Sequence, residues 1–462
     1  MKKVAFCAVS GNGMSALAQI LIKKGYEVYG SDQSFDAGRD HANREALVKA
    51  GVKLIPQDGS GITDDMEFLC ISSAIPESNP DVIAAKSKNI PIKKRSELLA
   101  ELFHQYEHNI AVGGTAGKTT TTAMIGYILD KLGKKPCMIN GGMLRDYDTG
   151  IGLPNIIYNE GDICVAEADE SDGSIRGYHP YIALINNISH DHVTIDELVE
   201  YFTEFASHAR FGIIVNADCP LASKLEHKNK FTYSLQNPQA DLYATDVNAI
   251  KNGVSYKLDG KEFCLSVIGK FNVSNALAAI SSCMMLGIDK FEAAKALESF
   301  TGIKRRLEVA GTNSRDITLI DDFAHNASKI EASLSALKEY PGRLIVMYQS
   351  HKPFSARTTG EEDGVVFGKV LEKSDILLMP EIYMRDPVAD ADISGADLVQ
   401  YAVNNGVNAK FLDTKEKVRE FILKNAQNGD RVVIMGARDN SLPDFSRRLL
   451  KDLDAYPEAA AS

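Results

Sequence analysis

Residues 112–124 read VGGTAGKTTTTAM and place Gly117-Lys118-Thr119 between an apolar segment and a sequence that can form a helix. This order predicts a strand, a glycine-rich loop and a helix N-terminus, whose backbone N–H groups and helix dipole together bind anions. Lys118 would face the β- and γ-phosphates of a nucleotide, and the Thr119 hydroxyl could reach a magnesium ion. Val112 stands at the first glycine position of the phosphate-loop pattern, so a Gly/Thr-rich turn beside a surface lysine is the alternative.

The first strands of the chain carry a second glycine-rich loop. A strand at 3–9 precedes Gly11-x-Gly13-x-x-Ala16 and a helix, and a strand at 27–30 ends at Asp32. This is the dinucleotide fingerprint in its alanine-ending form. On its own it fits NAD, another nucleotide diphosphate, or a strand–helix turn without a ligand. A strand at 68–73 carries Ser72 and Ser73 at its carboxyl end, where parallel sheets bind ligands.

Acidic residues and histidines follow two later strands. A strand at 163–166 leads into EADESD at 167–172, and an acidic residue just past an apolar strand is expected to hold a magnesium ion through a hard oxygen ligand. A solvated acidic turn is the alternative. A strand at 181–188 leads to His190 and His192, of which His192 is the stronger candidate for a ligand or orienting group, although a histidine there is often structural.

The order of strands and helices along the whole chain predicts an α/β protein of three domains, at 1–105, 106–306 and 307–462. Short strands at 230–268 indicate a small β-rich insertion, and an alanine-rich helix carries Asn272 and Asn275, which could also be helix caps. Strands near 318–321, 343–348, 375–379 and 431–435 alternate with helices and predict a parallel sheet covered on both faces. Polar residues at three of these strand ends suggest a ligand face.

Composition excludes several classes of function. The net charge of −11 argues against nucleic acid or an anionic membrane as the main partner. The sequence contains no run of 18 or more apolar residues, so no membrane span is predicted. The apolar segment after Lys3 is too short for a signal peptide. Seven scattered cysteines without a CxxC pair fit buried thiols in a reducing cytosol, so a cytoplasmic protein is expected.

Taken together and in order, these motifs resemble the Mur ligase family over essentially the whole chain. The matching segments are SGNGMSALA (10–18), GSD (30–32), SSAIPESNP (72–80), GTAGKTTT (114–121), EADESD (167–172), NNISHDH (186–192), GKFNVSNALAA (269–279), GIKRRLE (302–308), DDFAH (321–325) and MGARD (435–439). The SGNGMS and EADESD segments favour the branch that adds L-alanine to UDP-N-acetylmuramate in peptidoglycan synthesis. The resemblance implies a Rossmann-like UDP-binding domain, a central phosphate-loop ATPase domain, and a Rossmann-like third domain.

The resemblance also implies a role for each site residue. The UDP-sugar would be bound by Gly11, Gly13, Met14, Ser15, Asp32, Ser72 and Ser73. ATP would be bound by Gly114, Thr115, Gly117, Lys118, Thr119 and Thr120, with Asn272 at adenine and Arg306, Asp322 and His325 closing over the nucleotide. Magnesium or manganese would be held by Thr119 and Glu167, with His192 at a second metal, and His351 would line the amino-acid site. A small amino acid is the expected second substrate, and the protein is expected as a monomer or homodimer.

Some residues depart from the family pattern. Ala116 and Phe271 stand where the family usually has histidine. In the third domain Asn326, Ala327 and Lys329 replace the usual residues, and this is the region where the incoming amino acid would dock.

The hypothesis is therefore a ligase that activates the lactyl carboxylate with the γ-phosphate of ATP and then forms an amide with an amino acid. Charge neutralisation by magnesium and Lys118 would be the largest catalytic effect. A ligase for another amino acid or a peptide, a NAD-dependent oxidoreductase using the first glycine loop, and a catalytically silent paralogue are the alternatives.

Overall fold

A computed structural model describes residues 2–147, 149–171, 173–189, 193–351, 353–384 and 393–456. The chain forms two compact units. The first comprises residues 1–247, 256–265 and 272–303, and the second comprises residues 248–255, 266–271 and 304–462.

The first unit begins with a five-stranded parallel sheet in the order β3-β2-β1-β4-β5. Its strands are β1 (Lys3–Cys7), β2 (Glu27–Ser31), β3 (Lys53–Leu54), β4 (Met66–Ile71) and β5 (Ile92–Lys94). Its helices are α1 (Asn12–Lys23), α2 (Gln33–Asp36), α3 (His41–Ala50), α4 (Pro80–Ser87) and α5 (Arg95–Phe103). Since strand order reverses next to β1, the carboxyl end of β1 is where such a sheet binds its ligand.

A ten-stranded sheet follows, in the order β15-β14-β13-β12-β11-β10-β6-β9-β7-β8. Its strands are β6 (His108–Gly113), β7 (Cys137–Ile139), β8 (Ile156–Tyr158), β9 (Ile163–Glu167), β10 (Ile182–Ile185), β11 (Gly212–Asn216), β12 (Lys230–Ser234), β13 (Leu242–Ile250), β14 (Gly253–Leu258) and β15 (Lys261–Leu265). Its helices are α6 (Lys118–Lys131), α7 (Ile195–Ser207), α8 (Phe271–Met285) and α9 (Lys290–Leu297), with short 3₁₀ helices at Ser174–Gly177 and Ala222–Lys224.

The second unit contains a six-stranded sheet in the order β16-β17-β21-β18-β19-β20. Its strands are β16 (Glu308–Thr312), β17 (Thr318–Asp322), β18 (Leu344–Gln349), β19 (Ile376–Met379), β20 (Ala409–Phe411) and β21 (Arg431–Gly436). Its helices are α10 (Ala327–Leu337), α11 (Pro353–Val370), α12 (Gly395–Asn404), α13 (Lys415–Asn425) and α14 (Leu442–Ala455).

The two sheets of the first unit share one hydrophobic core. Leu17 of α1 and Leu98 of α5 belong to the same buried cluster as Ile139 and Cys164 of the ten-stranded sheet. Burying apolar surface in common holds the two sheets together as one compact unit. The glycine loops of both sheets therefore belong to the same packed body.

Helices begin where the local sequence supplies caps. Thr194 and Glu197 form a reciprocal capping box at α7, and Asn79 with Pro80 starts α4. Asn326 accepts a hydrogen bond from the Lys329 backbone N–H at the start of α10. An N-cap asparagine satisfies a backbone donor that would otherwise have no partner. One of the departures from the family pattern, Asn326, thus has a local structural role.

The α/β class with three sheet-centred domains is confirmed, and one detail differs from expectation. The β-rich segment predicted at 230–268 forms β12–β15, and β12 pairs in parallel with β11, so these strands extend the central sheet. The third sheet is not wholly parallel, because edge strand β16 runs antiparallel to β17. The boundaries proposed for the domains stay a prediction. Among the described residues no helix has both the length and the apolar character to cross a membrane.

Candidate active site

The phosphate loop joins β6 to α6, as the sequence predicts. Gly117 caps α6 with φ +85°, and Gly114 has φ +132°, a region that disfavours side chains. A Cβ on Gly117 would lie 2.5 Å from Asn275 Oδ1, and one on Gly114 would lie 3.0 Å from Asn186 Cβ. Positive φ and close packing therefore both require glycine at these positions, and the loop keeps its backbone N–H groups at the helix N-terminus.

Asn187 fixes the loop from the neighbouring strand end. Its Oδ1 accepts hydrogen bonds from Thr115 Oγ1 at 2.7 Å and from the Ala116 N–H at 2.9 Å, and its Nδ2 donates to Ala116 O at 3.1 Å. The residue follows β10, which pairs in parallel with β6. Sequence reasoning missed this role, although the Asn186-Asn187 pair at the end of a buried strand was a visible signal.

A buried polar network supports the loop from below. Asn186 Nδ2 donates to Thr121 Oγ1 at 3.0 Å, and Thr121 Oγ1 donates to Asn275 Oδ1 at 3.3 Å. Asn275 Nδ2 in turn donates to Asn272 Oδ1 at 2.9 Å. Both asparagines of α8 lie within the helix and are buried, so the capping interpretation is wrong. Asn272, the expected adenine contact, is tied to the phosphate loop by these bonds.

Thr119, in the first turn of α6, meets Glu167 at the end of β9. Val112 pairs with Glu167 in the β6–β9 register, and the Thr119 hydroxyl donates to Glu167 Oε2 at 3.0 Å. Within the described part of the chain no group of three His, Cys, Asp or Glu residues could enclose a metal ion. Magnesium characteristically uses one or two protein oxygens together with phosphates and water. The hydroxyl and carboxylate therefore fit a nucleotide-bound magnesium rather than an all-protein cage.

Lys118 is paired with an acidic residue that the sequence assigned no role. Its Nζ lies 2.6 Å from Glu170 Oε2 and donates to Gly114 O at 2.8 Å. Burial raises the pKa of Glu170 above its ordinary value, and the charge of Lys118 opposes that rise. For Asp169, burial acts to raise the pKa, but Lys118 and bonds from Ser171 outweigh it, so its pKa lies below the ordinary value.

The first glycine loop lies at the carboxyl end of β1. Gly11 is the N-cap of α1, and a Cβ on Gly13 would lie 3.0 Å from Arg95 Cδ and 3.4 Å from Nη1. Arg95, which sequence reasoning missed, thus brings a guanidinium to a loop whose geometry suits phosphates. Its signal was a basic residue directly after the short strand β5.

The other residues predicted for this site differ in accessibility. Asp32 is buried and accepts hydrogen bonds from the N–H groups of Ser10 at 3.0 Å and Ser34 at 2.8 Å, which fixes the loop. Met14 and Ser15 are buried in α1, whereas Ser72 is half-buried and Ser73 is exposed after β4. Ser72 and Ser73 thus lie near the solvent after β4. Asp32 and Ser15, in contrast, already make hydrogen bonds within the protein.

Four predicted residues belong to the second unit. Asp322 is buried and accepts hydrogen bonds from the Leu307 N–H at 2.7 Å, the Ala324 N–H at 2.8 Å and Ser333 Oγ at 3.0 Å. Burial raises its pKa, and these bonds oppose the rise. His325 and His351 lie with ring centroids 5.6 Å apart, and burial lowers the pKa of His325. Arg306 directly precedes Leu307, whose N–H binds Asp322. Their roles toward a nucleotide or amino acid stay predictions.

His192, predicted as a metal ligand, lies outside the described residues, as do His190 and Asp172. The second metal site therefore stays a prediction.

Fold and site together define a phosphate-loop nucleotide-binding protein whose central sheet is joined to a second, Rossmann-like nucleotide fold. Three family models match successive parts of the chain: the Mur ligase family catalytic domain at residues 3–107, the Mur ligase middle domain at 112–283, and the Mur ligase glutamate ligase domain at 305–438. The chain belongs to the Mur ligase family.

Similar proteins agree over nearly the full length. The chain is 32% identical to a UDP-N-acetylmuramate–L-alanine ligase of Rhizobium etli, covering 99% of this chain and 98% of that protein. It is 34% identical to the same ligase of Aquifex aeolicus, covering 98% of each chain. The structure matches that of UDP-N-acetylmuramate-alanine ligase from Thermotoga maritima with a TM-score of 0.81 at 23% identity, over 99% of this chain and 100% of that one. A murein peptide ligase from Psychrobacter arcticus matches with a TM-score of 0.65 at 22% identity, covering 98% and 99%. At these identities the two structures support the fold.

Proposed function

We propose that this protein is an ATP-dependent ligase that joins L-alanine to the lactyl carboxylate of UDP-N-acetylmuramate. The observation that carries the proposal is the meeting of Thr119 and Glu167 at 3.0 Å beside a glycine-rich loop. Full-length similarity to UDP-N-acetylmuramate–L-alanine ligases supports this choice of substrates.

The phosphate-loop residues would bind ATP. Backbone N–H groups from Gly114 to Thr120 would cradle the phosphates at the positive end of α6. Lys118 would neutralise phosphate charge, and Thr119 with Glu167 would hold magnesium. When bound, ATP would supply its γ-phosphoryl group to activate the carboxylate, with ADP as the leaving group, and attack by the amine would then form the amide and release phosphate.

The chain's own residues would bind the substrates and orient them. The loop at Gly11 and Gly13 would bind the UDP diphosphate, and Arg95 would add a positive charge there. In the second unit, His351 would line the amino-acid site, and His325 would contact the nucleotide. Family membership favours this ligase over the NAD-dependent oxidoreductase.

One experiment tests the proposal. Purified protein is incubated with UDP-N-acetylmuramate, ATP, magnesium and a mixture of amino acids and a tripeptide, and the products are identified by mass spectrometry. The expected product is UDP-N-acetylmuramyl-alanine, with one phosphate released for each product. A product carrying another amino acid or the tripeptide would overturn the assignment of L-alanine, and ATP binding without any product would indicate the silent paralogue.

A further inference from the structure

Gly141 is hydrogen-bonded to both glycine-loop systems of the first unit. Its carbonyl oxygen accepts a hydrogen bond from Asn12 Nδ2 at 2.9 Å, and its N–H donates to Glu167 Oε1 at 2.5 Å. Glu167 uses its other oxygen, Oε2, to accept from Thr119. A continuous chain of hydrogen bonds thus runs from Asn12, beside the first glycine loop, through Gly141 and Glu167 to the Thr119 hydroxyl at the phosphate loop.

The segment around Gly141 has little room to move. A Cβ on Gly141 would lie 2.8 Å from Glu167 Oε1, and one on Gly142 would lie 2.8 Å from Thr119 Cγ2. Asn140 is buried and donates to Gly142 O at 3.0 Å. Packed segments transmit small shifts because they cannot deform freely. A displacement of the Gly141 carbonyl would therefore reach the Glu167 carboxylate.

The Asn12 end is equally constrained. Asn155 Nδ2 donates to Asn12 O at 2.7 Å and to Ser15 Oγ at 2.9 Å. Asn155 Oδ1 accepts from Gln19 Nε2 at 2.9 Å. These bonds dock the first turns of α1 onto the central sheet. The Asn12 side chain continues from this docked helix to Gly141.

We propose that Asn12 is a positioning residue that couples occupancy of the first glycine loop by a nucleoside diphosphate to the orientation of Glu167, and hence to binding of magnesium nucleotide at the phosphate loop. The inference rests on the proposed function, because it assigns one nucleotide to each loop. Coupling between two binding sites is reciprocal, so each ligand changes the affinity of the other by the same factor.

The test measures binding rather than turnover. The affinity for magnesium with a non-hydrolysable ATP analogue is measured by calorimetry, with and without saturating UDP-N-acetylmuramate. In the unmodified protein the sugar nucleotide is expected to change that affinity by about fivefold or more. In Asn12→Ala the ratio is expected to fall to about one, with each ligand's affinity alone kept within about twofold.

The matched control is a substitution of another asparagine in the domain of the first sheet. Asn43 Nδ2 donates to Asp40 Oδ2 at 3.0 Å, so Asn43→Ala removes a similar bond without touching Gly141 and should keep the coupling. The Asn12 side chain is exposed, so its variants should fold, which circular dichroism melting checks. Asn12→Asp is the second variant, because it keeps the size but cannot donate to Gly141 O, and it should lose the coupling as well.

Other outcomes overturn the inference in distinguishable ways. Coupling of full size in both Asn12 variants would exclude the positioning role, as would its absence in the unmodified protein. If one ligand bound more weakly by the same factor with and without the other, the ratio of affinities would be unchanged. Asn12 would then contribute to binding that ligand and not to coupling. Failure of the unmodified protein to bind either nucleotide would instead overturn the proposed function itself. In steady-state assays at saturating ATP, Asn12→Ala should shift the KM for the sugar nucleotide by about the lost coupling factor, whereas Asn43→Ala should leave it unchanged.

Discussion

Lys118 Nζ lies 2.6 Å from Glu170 Oε2, with 4% of the Glu170 side chain exposed. The lysine expected to face nucleotide phosphates is therefore held by a buried carboxylate from the end of β9. Phosphates that approach the loop would meet both the cation and its acidic partner. We expect the balance between these two charges to set how tightly an anion binds here.

The first prediction concerns the cation. Lys118→Ala should abolish ligation, with a loss of at least about 10³-fold in kcat, since a charge at the transferring phosphoryl group contributes mainly to the transition state. Binding of UDP-N-acetylmuramate, measured by calorimetry, should stay unchanged. Lys131→Ala in the last turn of the same helix is the control and should keep full activity. Substantial ATP-dependent turnover in Lys118→Ala would contradict the assignment of this loop.

The second prediction concerns the partner of Lys118. Glu170→Gln should tighten ADP binding by about fivefold, because it removes a negative charge beside the phosphates. It should also lower the melting temperature by about 3 °C, because the half-buried lysine loses its counter-charge. Titration calorimetry and thermal melting measure the two effects. Glu160→Gln, at an exposed position, should change neither. Weaker ADP binding in Glu170→Gln would show that the carboxylate orients Lys118 for phosphate instead.

The third prediction concerns the close approach at Gly141. In Gly141→Ala the new methyl group would lie 2.8 Å from Glu167 Oε1, so the carboxylate must move. A displacement of about 1 Å in a metal-holding group can cost about 10²-fold in rate, so kcat should fall by at least about tenfold while the sugar nucleotide still binds. Gly177→Ala, where nothing lies within 4 Å of the added atom, is the control. Normal kcat in Gly141→Ala would argue against Glu167 as the metal ligand.

The fourth prediction concerns a buried carboxyl in the second unit. Burial raises the pKa of Asp363 to about 7, although Tyr348 OH donates to its Oδ2 at 3.1 Å and opposes the rise. An unfolded aspartate has a pKa of about 3.9, so between these values the folded protein retains a proton that the unfolded chain has lost. Stability contributed by this group should therefore fall as pH rises from about 4 to about 7.

Asp363→Asn removes that titration while keeping an oxygen for Tyr348. Melting temperatures measured from pH 5 to pH 8 should decline less in the variant than in the unmodified protein. Glu361→Gln on the exposed side of the same helix should follow the unmodified profile. Parallel profiles for all three proteins would mean that Asp363 does not hold its proton in this range.

Local patterns were enough to predict the two glycine loops and the acidic strand end. Gly117-Lys118-Thr119 requires a strand before it and a helix after it, and both lie close by in the chain. Glu167 follows an apolar segment of strand length. Hydrophobic periodicity and glycine placement act over a few residues, so a sequence shows them directly.

Residues that hold the loops in place were not predictable in the same way. Thr115 and Asn187 are 72 positions apart, and Asn12 and Gly141 are 129 apart. Asparagine, threonine and glycine are all common in turns, so nothing local distinguishes these residues. The β-rich segment was predicted but its pairing with β11 was not, since a strand pattern does not specify which strand it pairs with.

The sequence alone determined the α/β class, the phosphate loop and the kind of ligand it suits, because these depend on neighbouring residues. Only the tertiary structure decided that Glu170 binds Lys118, that Asn187 braces the loop and that Gly141 connects Asn12 to Glu167. Those contacts depend on strand order, which brings distant segments to one edge of the sheet.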